Sequence, residues 1–322
     1  MVNNYIIETS KENTDIAYTE INSIMENYKS FSILFTVDNY IMISGDYSDL
    51  KDSAFINYIS LVIDETDDYK NFNKKIPDGR FFVRVSGRNK TETEYFENEI
   101  GRVLNGYGRI SFRNPDFIIR AVYINRWYLC ILKYEKNKKE FESRRAPLRP
   151  FFSPVSLHPK YARYLINTSF TKPGDTIIDP FCGTGGILIE AALMKRKIIG
   201  NDSSLNMVMG TKLNLKYFDI KDYKIYNDDI SHLNISRKVN AIVTDMPYGR
   251  SSGIDNHEIN DLYMESFKKF SDILIKNGKC SVIINDKKFL TYAEDYFDII
   301  KIVPVYQHKS LIRQFVILNK IN

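Results

Sequence analysis

From residue 156 onward, short β-branched runs alternate with segments long enough for a helix, and that rhythm leaves few folds open. TIIDP, KIIGNDSS, YKIYND, NAIVTDM and KCSVIIND read as strands. GILIEAALMKR, LNMVMGTKLNLKYF and HEINDLYMESFKKFSDILIKNG are the helix-compatible stretches among them. KKFLTYAEDYF follows the fifth run, and then IIKIVPVYQH and RQFVILN stand together with no helix between them. Strand and helix in strict turn predict a doubly wound α/β sheet with helices on both faces. The final two runs predict an antiparallel hairpin at one edge, making the sheet seven-stranded and mostly parallel. Ligands of such sheets bind beyond the carboxyl ends of the strands.

The preceding residues have a different grain. NYIIET, FSILFTV, YIMISG and RFFVRVSGRN read as strands. TDIAYTEINSIMENY spaces Ile16, Ile21, Ile24, Met25 and Tyr28 as a helix does, SDLKDSAFINYISLVID reads as a second helix, and ETEYFENEIGRVLNGYG as a third that stops at glycine. ISFRNPDFIIRAVYINRWYLCILKYE reads as strands around a loop at Asn114-Pro115-Asp116. This predicts an α+β domain over residues 1–140, a linker over 141–155 and the α/β domain over 156–322. Around the linker, Lys136, Lys138, Lys139, Arg144, Arg145 and Arg149 stand against Glu140 and Glu142 only. The segment is either a solvated connector or a basic strap that faces a polyphosphate.

A formal charge of +5 permits a polyanionic partner without requiring one. Cys130, Cys182 and Cys280 lie far apart and form no Cys-x-x-Cys pair, which argues against a structural zinc or a disulfide framework. His158, His232, His257 and His308 are scattered, so no metal site is expected. No run is long enough to span a bilayer, and MVNNYIIETSKENTD lacks the pattern of a signal peptide. A cytoplasmic location is expected.

Four strand ends carry chemistry. The first gives Asp179-Pro180-Phe181-Cys182-Gly183-Thr184-Gly185-Gly186 and runs into a helix, so its glycines let the backbone approach a ligand. The spacing is not that of a dinucleotide fingerprint, and Asp179 puts negative charge where a pyrophosphate would lie. A dehydrogenase is therefore disfavoured, and a ligand with a cationic or neutral group suits the site better. The second strand ends in Asp202 and Ser203, where a carboxylate can accept both hydroxyls of a ribose. The third ends in Asp228-Asp229, with Asp229 placed to accept from an adenine amino group. Taken singly, these are also ordinary turns and helix caps.

The fourth end is Asp245-Met246-Pro247-Tyr248. If the ligand donates a methyl group, an exocyclic amine on a nucleobase is a fitting acceptor. Its lone pair is delocalised, so two acceptors must grip its hydrogens. The Asp245 carboxylate and the Met246 carbonyl can do so, Pro247 biases Met246 to an extended backbone, and Tyr248 offers a face for an extruded base.

DPFCGTGG and TDMPYG, in this order and spacing, resemble class I S-adenosylmethionine-dependent methyltransferases that modify amines. Arg149-Pro150-Phe151-Phe152, Ser156-Leu157-His158-Pro159 and Thr244-Asp245-Met246-Pro247-Tyr248-Gly249-Arg250-Ser251 resemble, more closely, archaeal and eukaryotic tRNA guanine(10)-N2-methyltransferases. RFFVRVSGRN, ENEIGRV and RNPDFIIRAV resemble their THUMP core. The resemblance covers nearly the whole chain. It implies a ferredoxin-like and THUMP region followed by a Rossmann-like methyltransferase domain, S-adenosyl-L-methionine as cofactor and tRNA as partner. Even spacing on a strand puts Arg80, Arg84 and Arg88 on one face, which with Lys90 is either a phosphate-binding stripe or a solvated face. These residues, with Arg144, Arg145 and Arg149, are the expected RNA contacts. The chain departs from the family at Met246, usually proline, and a proline there is expected to leave the enzyme at least as active. Two alternatives remain open: an amine methyltransferase acting on ribosomal RNA or DNA, and an RNA-binding protein with a decayed site.

Overall fold

The computed structural model describes residues 2–72, 76–137, 139–154, 156–248, 256–308 and 311–321. The chain divides into two compact units. One comprises residues 1–17, 28–51 and 55–137, and the other residues 18–27, 52–54 and 138–322.

The first unit is built on strands β1 (Asn4–Thr9), β2 (Phe31–Val37), β3 (Tyr40–Gly45), β4 (Ile56–Thr66), β5 (Arg80–Ser86), β6 (Arg109–Ile110), β7 (Phe117–Tyr123) and β8 (Trp127–Glu135). They form one eight-stranded sheet in the order β2-β3-β1-β4-β8-β7-β5-β6. Helix α1 (Thr14–Tyr28) follows β1, and α2 (Lys90–Leu104) follows β5. Asn89 caps α2 by accepting from the Glu92 amide at 2.9 Å. Alternation along β5 turns Phe81, Val83 and Val85 into a core with Ile100, Leu104 and Trp127, and leaves Arg80 and Arg84 outside.

The helix expected over SDLKDSAFINYISLVID is not one. Ser48–Asp52 is a single 3-10 turn, and Ile56–Thr66 is the strand β4. That strand lies between β1 and β8, so both of its edges gain ladder hydrogen bonds that a helix would forgo.

The second unit holds the predicted doubly wound sheet. Its helices are α3 (Lys139–Glu142), α4 (Pro159–Asn167), α5 (Gly186–Leu193), α6 (Leu205–Tyr217) and α7 (Asn256–Ile273). Its strands are β9 (Thr176–Asp179), β10 (Lys197–Asn201), β11 (Tyr223–Tyr226), β12 (Val239–Asp245), β13 (Leu274–Ile284), β14 (Phe297–His308) and β15 (Leu311–Lys320). Their order is β11-β10-β9-β12-β13-β15-β14. The first five are parallel; β15 is antiparallel to β13, and β14 to β15. The stretch expected to stay helical to Gly278 leaves the helix at Ile273. Asn277 adopts φ +57°, a left-handed conformation through which a right-handed helix does not continue.

The core on one face joins Ile178, Val239, Ile242 and Val282 of the sheet to Tyr263, Phe267 and Phe270 of α7. Burial of each phenylalanine contributes about 1.5–3 kcal/mol. Strand order reverses between β9 and β12, and that is where a crevice opens in this architecture.

Candidate active site

Asp179 and Asp245 end these two neighbouring strands. A cavity of about 650 Å³ opens beside them. Phe181, Cys182, Gly183, Thr184 and Gly186 of the glycine loop line it, with Asp202, Ser203, Asp229 and the residues from Asp245 to Tyr248. Residues from all four predicted strand ends therefore meet in one place. Pro180 and Gly185 do not line the cavity. Gly185 caps α5 at φ +79°, where a Cβ would come within 3.0 Å of Thr211, and the Pro180 carbonyl accepts from the Asn201 amide at 3.2 Å.

The glycine loop is held from several sides. One Asp202 oxygen accepts from the Gly183 amide at 2.9 Å and the other from the Ser204 amide at 2.9 Å. Each oxygen keeps a second lone pair for a ribose hydroxyl. The Thr211 hydroxyl donates to the Gly183 carbonyl at 2.7 Å, and the Thr184 and Ser156 hydroxyls lie 2.9 Å apart. Asn201 escaped the sequence reading. Its buried carboxamide bonds the Pro180 carbonyl and both the amide and carbonyl of Asp228, and so clips three strand ends together. A buried amide at a strand end, with four hydrogen bonds to satisfy, was the available signal.

Charge in the cavity is negative and costly. Burial pushes the Asp179 carboxyl up to about 7, against the Thr244 hydroxyl and Phe181 amide that hold it down. Burial also raises Asp202, and its two amide partners oppose the rise. The Ser231 hydroxyl and amide lower Asp229. Burial drives the Cys182 thiol well above its ordinary range, so it packs as a small apolar group. A buried Asp179 and a partly buried Asp202, beside an exposed Asp229, suit a ligand carrying hydroxyls, an ammonium and a sulfonium, which is what S-adenosylmethionine presents.

At the far end, burial pushes Asp245 up to about 7, and Arg313 of β15 pulls it back. The Arg313 Nη1 lies 3.1 Å from one carboxylate oxygen, and the Tyr248 hydroxyl donates to the other. The guanidinium carbon sits 5.1 Å from the centroid of the Tyr248 ring. Arg313 was not foreseen, because it reaches Asp245 only through the pairing of β15 beside β13. The Met246 amide donates to the Ile283 carbonyl at 3.0 Å, and its side chain is buried in the core beside α7. The Tyr263 hydroxyl donates to the Pro247 carbonyl at 3.2 Å. Gly249, Arg250 and Ser251 lie outside the described residues, as do the side chains of His257 and His308.

The expected basic strap is different from its sequence reading. Arg144 bonds the buried Glu190 at 2.6 and 3.0 Å, and Arg163 bonds the same carboxylate at 2.9 Å. Arg149 is buried against Gly186, and its Nε donates to the Arg144 carbonyl. Arg144, Arg149 and Arg163 brace the second unit, and of the expected contacts Arg144, Arg145 and Arg149 only Arg145 is exposed, paired with Glu142. His158 caps α4 through the Lys160 amide and faces Glu142 at 3.3 Å, and burial lowers its pKa. In the first unit Arg80 and Arg84 share an exposed face, paired with Asp116 and Glu97. Lys90 is exposed at the start of α2, whereas Arg88 lies 3.6 Å over the Tyr123 ring.

The family model described as RMKL-like, methyltransferase domain, matches residues 147–308. A tRNA (guanine(10)-N2)-dimethyltransferase of Methanothermobacter thermautotrophicus is 31% identical to the chain, covering 97% of it and 98% of that protein. Its counterpart in Pyrococcus abyssi is 34% identical, over 76% of this chain and 75% of that one. TrmN from Thermus thermophilus shares the fold, with a TM-score of 0.59 at 16% identity, covering 99% of this chain and 100% of its own. Likeness along nearly the entire length, with the strand-end acids gathered round one cavity, places the chain in the tRNA (guanine(10)-N2)-methyltransferase family.

Proposed function

We propose that this chain methylates the 2-amino group of guanosine 10 in tRNA, using S-adenosylmethionine, and adds two methyl groups as its relatives' names specify. The observation that carries this reading is Asp245, a largely buried carboxylate lining the cavity whose partners among the described residues, Tyr248 and Arg313, are both hydrogen-bond donors. An arylamine offers it the same kind of donor. Bound S-adenosylmethionine supplies a methyl on a sulfonium that departs as a neutral thioether. Asp202 and Asp229 would receive its hydroxyls and adenine amine, and the Gly183–Gly186 loop would give its backbone room. Asp245 would orient the amine and accept its proton, with placement supplying much of the rate. After one transfer a hydrogen remains on the nitrogen, so the same carboxylate can serve a second.

In this reading residues 1–140 form a ferredoxin-like and THUMP region that holds tRNA by backbone and shape. The exposed face of β5 supports it. Arg84 lies 4.7 Å over Phe82, and Phe112, 72% exposed, stands beside Phe82. Residues 141–155 join it to a methyltransferase domain over 156–322. A cytoplasmic location fits three separate buried thiols.

Mass spectrometry of nucleosides from tRNA, ribosomal RNA and DNA incubated with the protein tests the assignment. N2,N2-dimethylguanosine in tRNA alone is expected. Asp245→Ala should bind cofactor in calorimetry yet methylate at least about 100-fold more slowly. Near-parental turnover would remove Asp245 from the reaction.

A further inference from the structure

We propose that Arg313 stands in for the substrate: its guanidinium holds the place of the guanine amine edge between Asp245 and Tyr248 until RNA delivers the base. This rests on the function proposed above. A guanidinium is a planar carbon bearing three nitrogens, and the edge of guanine around its 2-amino group is the same fragment. Arg313 donates to one Asp245 oxygen at 3.1 Å, Tyr248 donates to the other, and the guanidinium lies over the Tyr248 ring. The hydrogen-bond acceptor and the aromatic face that an extruded guanine needs are thus both engaged by one side chain.

Among the described residues Nε of Arg313, although buried, has no hydrogen-bond partner, as is also true of a guanidinium nitrogen in Arg88, Arg120 and Arg149, so the contacts to Asp245 and Tyr248 leave part of the guanidinium unmet. Arg313 pairs with Val305 in the β14–β15 hairpin, and the register shifts in the next rows, between Tyr306 and His308. The bulge interrupts the regular ladder one row beyond Arg313, so fewer paired rows flank Arg313 than flank the residues nearer the middle of β15. The end also exposes Tyr306 and Ile312. Displacing Arg313 takes a base brought in by a docked RNA, so free nucleosides and small amines are kept from Asp245.

Among the described residues, the groups facing Asp245 are Arg313 on β15, Tyr248 in its own loop, Asp179 on β9 and Tyr263 on α7. Substituting Arg313 alters one of these. Rates at limiting tRNA titrate the free enzyme, and rates at saturating tRNA titrate the complex. Arg313→Gln should move the acid limb of the limiting-tRNA profile to higher pH, because free Asp245 loses its cation. The acid limb at saturating tRNA should stay in place, because in the complex the arginine has already left. At a pH above both limbs, KM for tRNA should fall severalfold. Arg313→Lys keeps the charge with less disturbance of folding and should show the same split with smaller amplitude. If both limbs move together, Arg313 stays on Asp245 during the reaction and the stand-in is refuted. If neither limb moves in either variant, the contact has no weight in solution and the proposal also falls. A wild-type enzyme that methylates no guanine would instead overturn the function on which it rests.

Discussion

A single backbone amide decides the sign of a substitution at Met246. The motif of its relatives invites proline there, and the sequence alone favours it. The amide, however, donates to the Ile283 carbonyl at 3.0 Å. Proline removes that donor and strands a buried carbonyl. Met246→Pro is therefore expected to lower stability by about 1–3 kcal/mol, read from urea midpoints, and to slow methylation as Asp245 shifts with its neighbour. A variant as stable as the parent would show that this bond contributes nothing. Asp179 carries a second residue-scale consequence. Its carboxyl is pushed from 3.8 up to about 7. Between those values the folded chain keeps a proton that the unfolded chain has released. Stability from this group therefore falls as pH rises through that window, and the loss is complete above it. Asn in its place can still accept from Thr244 and does not ionise. The melting temperature of the parent, relative to Asp179→Asn, should drop by about 5 °C between pH 5 and pH 8. A constant gap would mean that the carboxyl is ionised throughout.

At the scale of elements, α6 shows why a glycine can be indispensable inside a helix. Replacing an interior glycine by alanine ordinarily stabilises by about 1 kcal/mol. A Cβ on Gly210 would lie 2.1 Å from the Phe151 ring. One turn on, Asn214 bonds the Phe151 backbone and the Thr184 carbonyl, so the Phe151 strap and the glycine loop share a support. Gly210→Ala should destabilise by about 1–3 kcal/mol and weaken cofactor binding, measured by thermal melts and calorimetry. A stabilised variant would show that the strap can lift away at no cost. Such dependences mark the limit of the sequence reading. Strand and helix in the second unit were legible from periodicity, and the acids from their place after β-branched runs. Arg144 and Arg149 looked like a surface strap because sequence shows charge and not burial, and Glu190, which anchors Arg144, lies on a helix that reads as apolar. Strand β4 was misread because pairing on both edges outweighed local helical spacing.

At the scale of the whole molecule, tRNA binding should depend steeply on salt, since phosphate contacts release counterions. Arg84, half-exposed beside Phe82, is a candidate for one such contact. Arg84→Ala should weaken binding for all tRNA sequences alike and lower the slope of log K against log salt by about 1. An unchanged slope would remove Arg84 from the interface. The sheet of the second unit has a further consequence, in the order of its making. Strand β15 lies between β13 and β14, although both precede it in the chain. On the ribosome, β13 and β14 therefore emerge with facing edges unpaired, and only the strand carrying Phe315, Val316 and Leu318 joins them. Asp245 likewise waits for Arg313. Until residues 311–320 are synthesised, the nascent chain presents two open edges to its neighbours, and a stalled ribosome would hold it in its most aggregation-prone form.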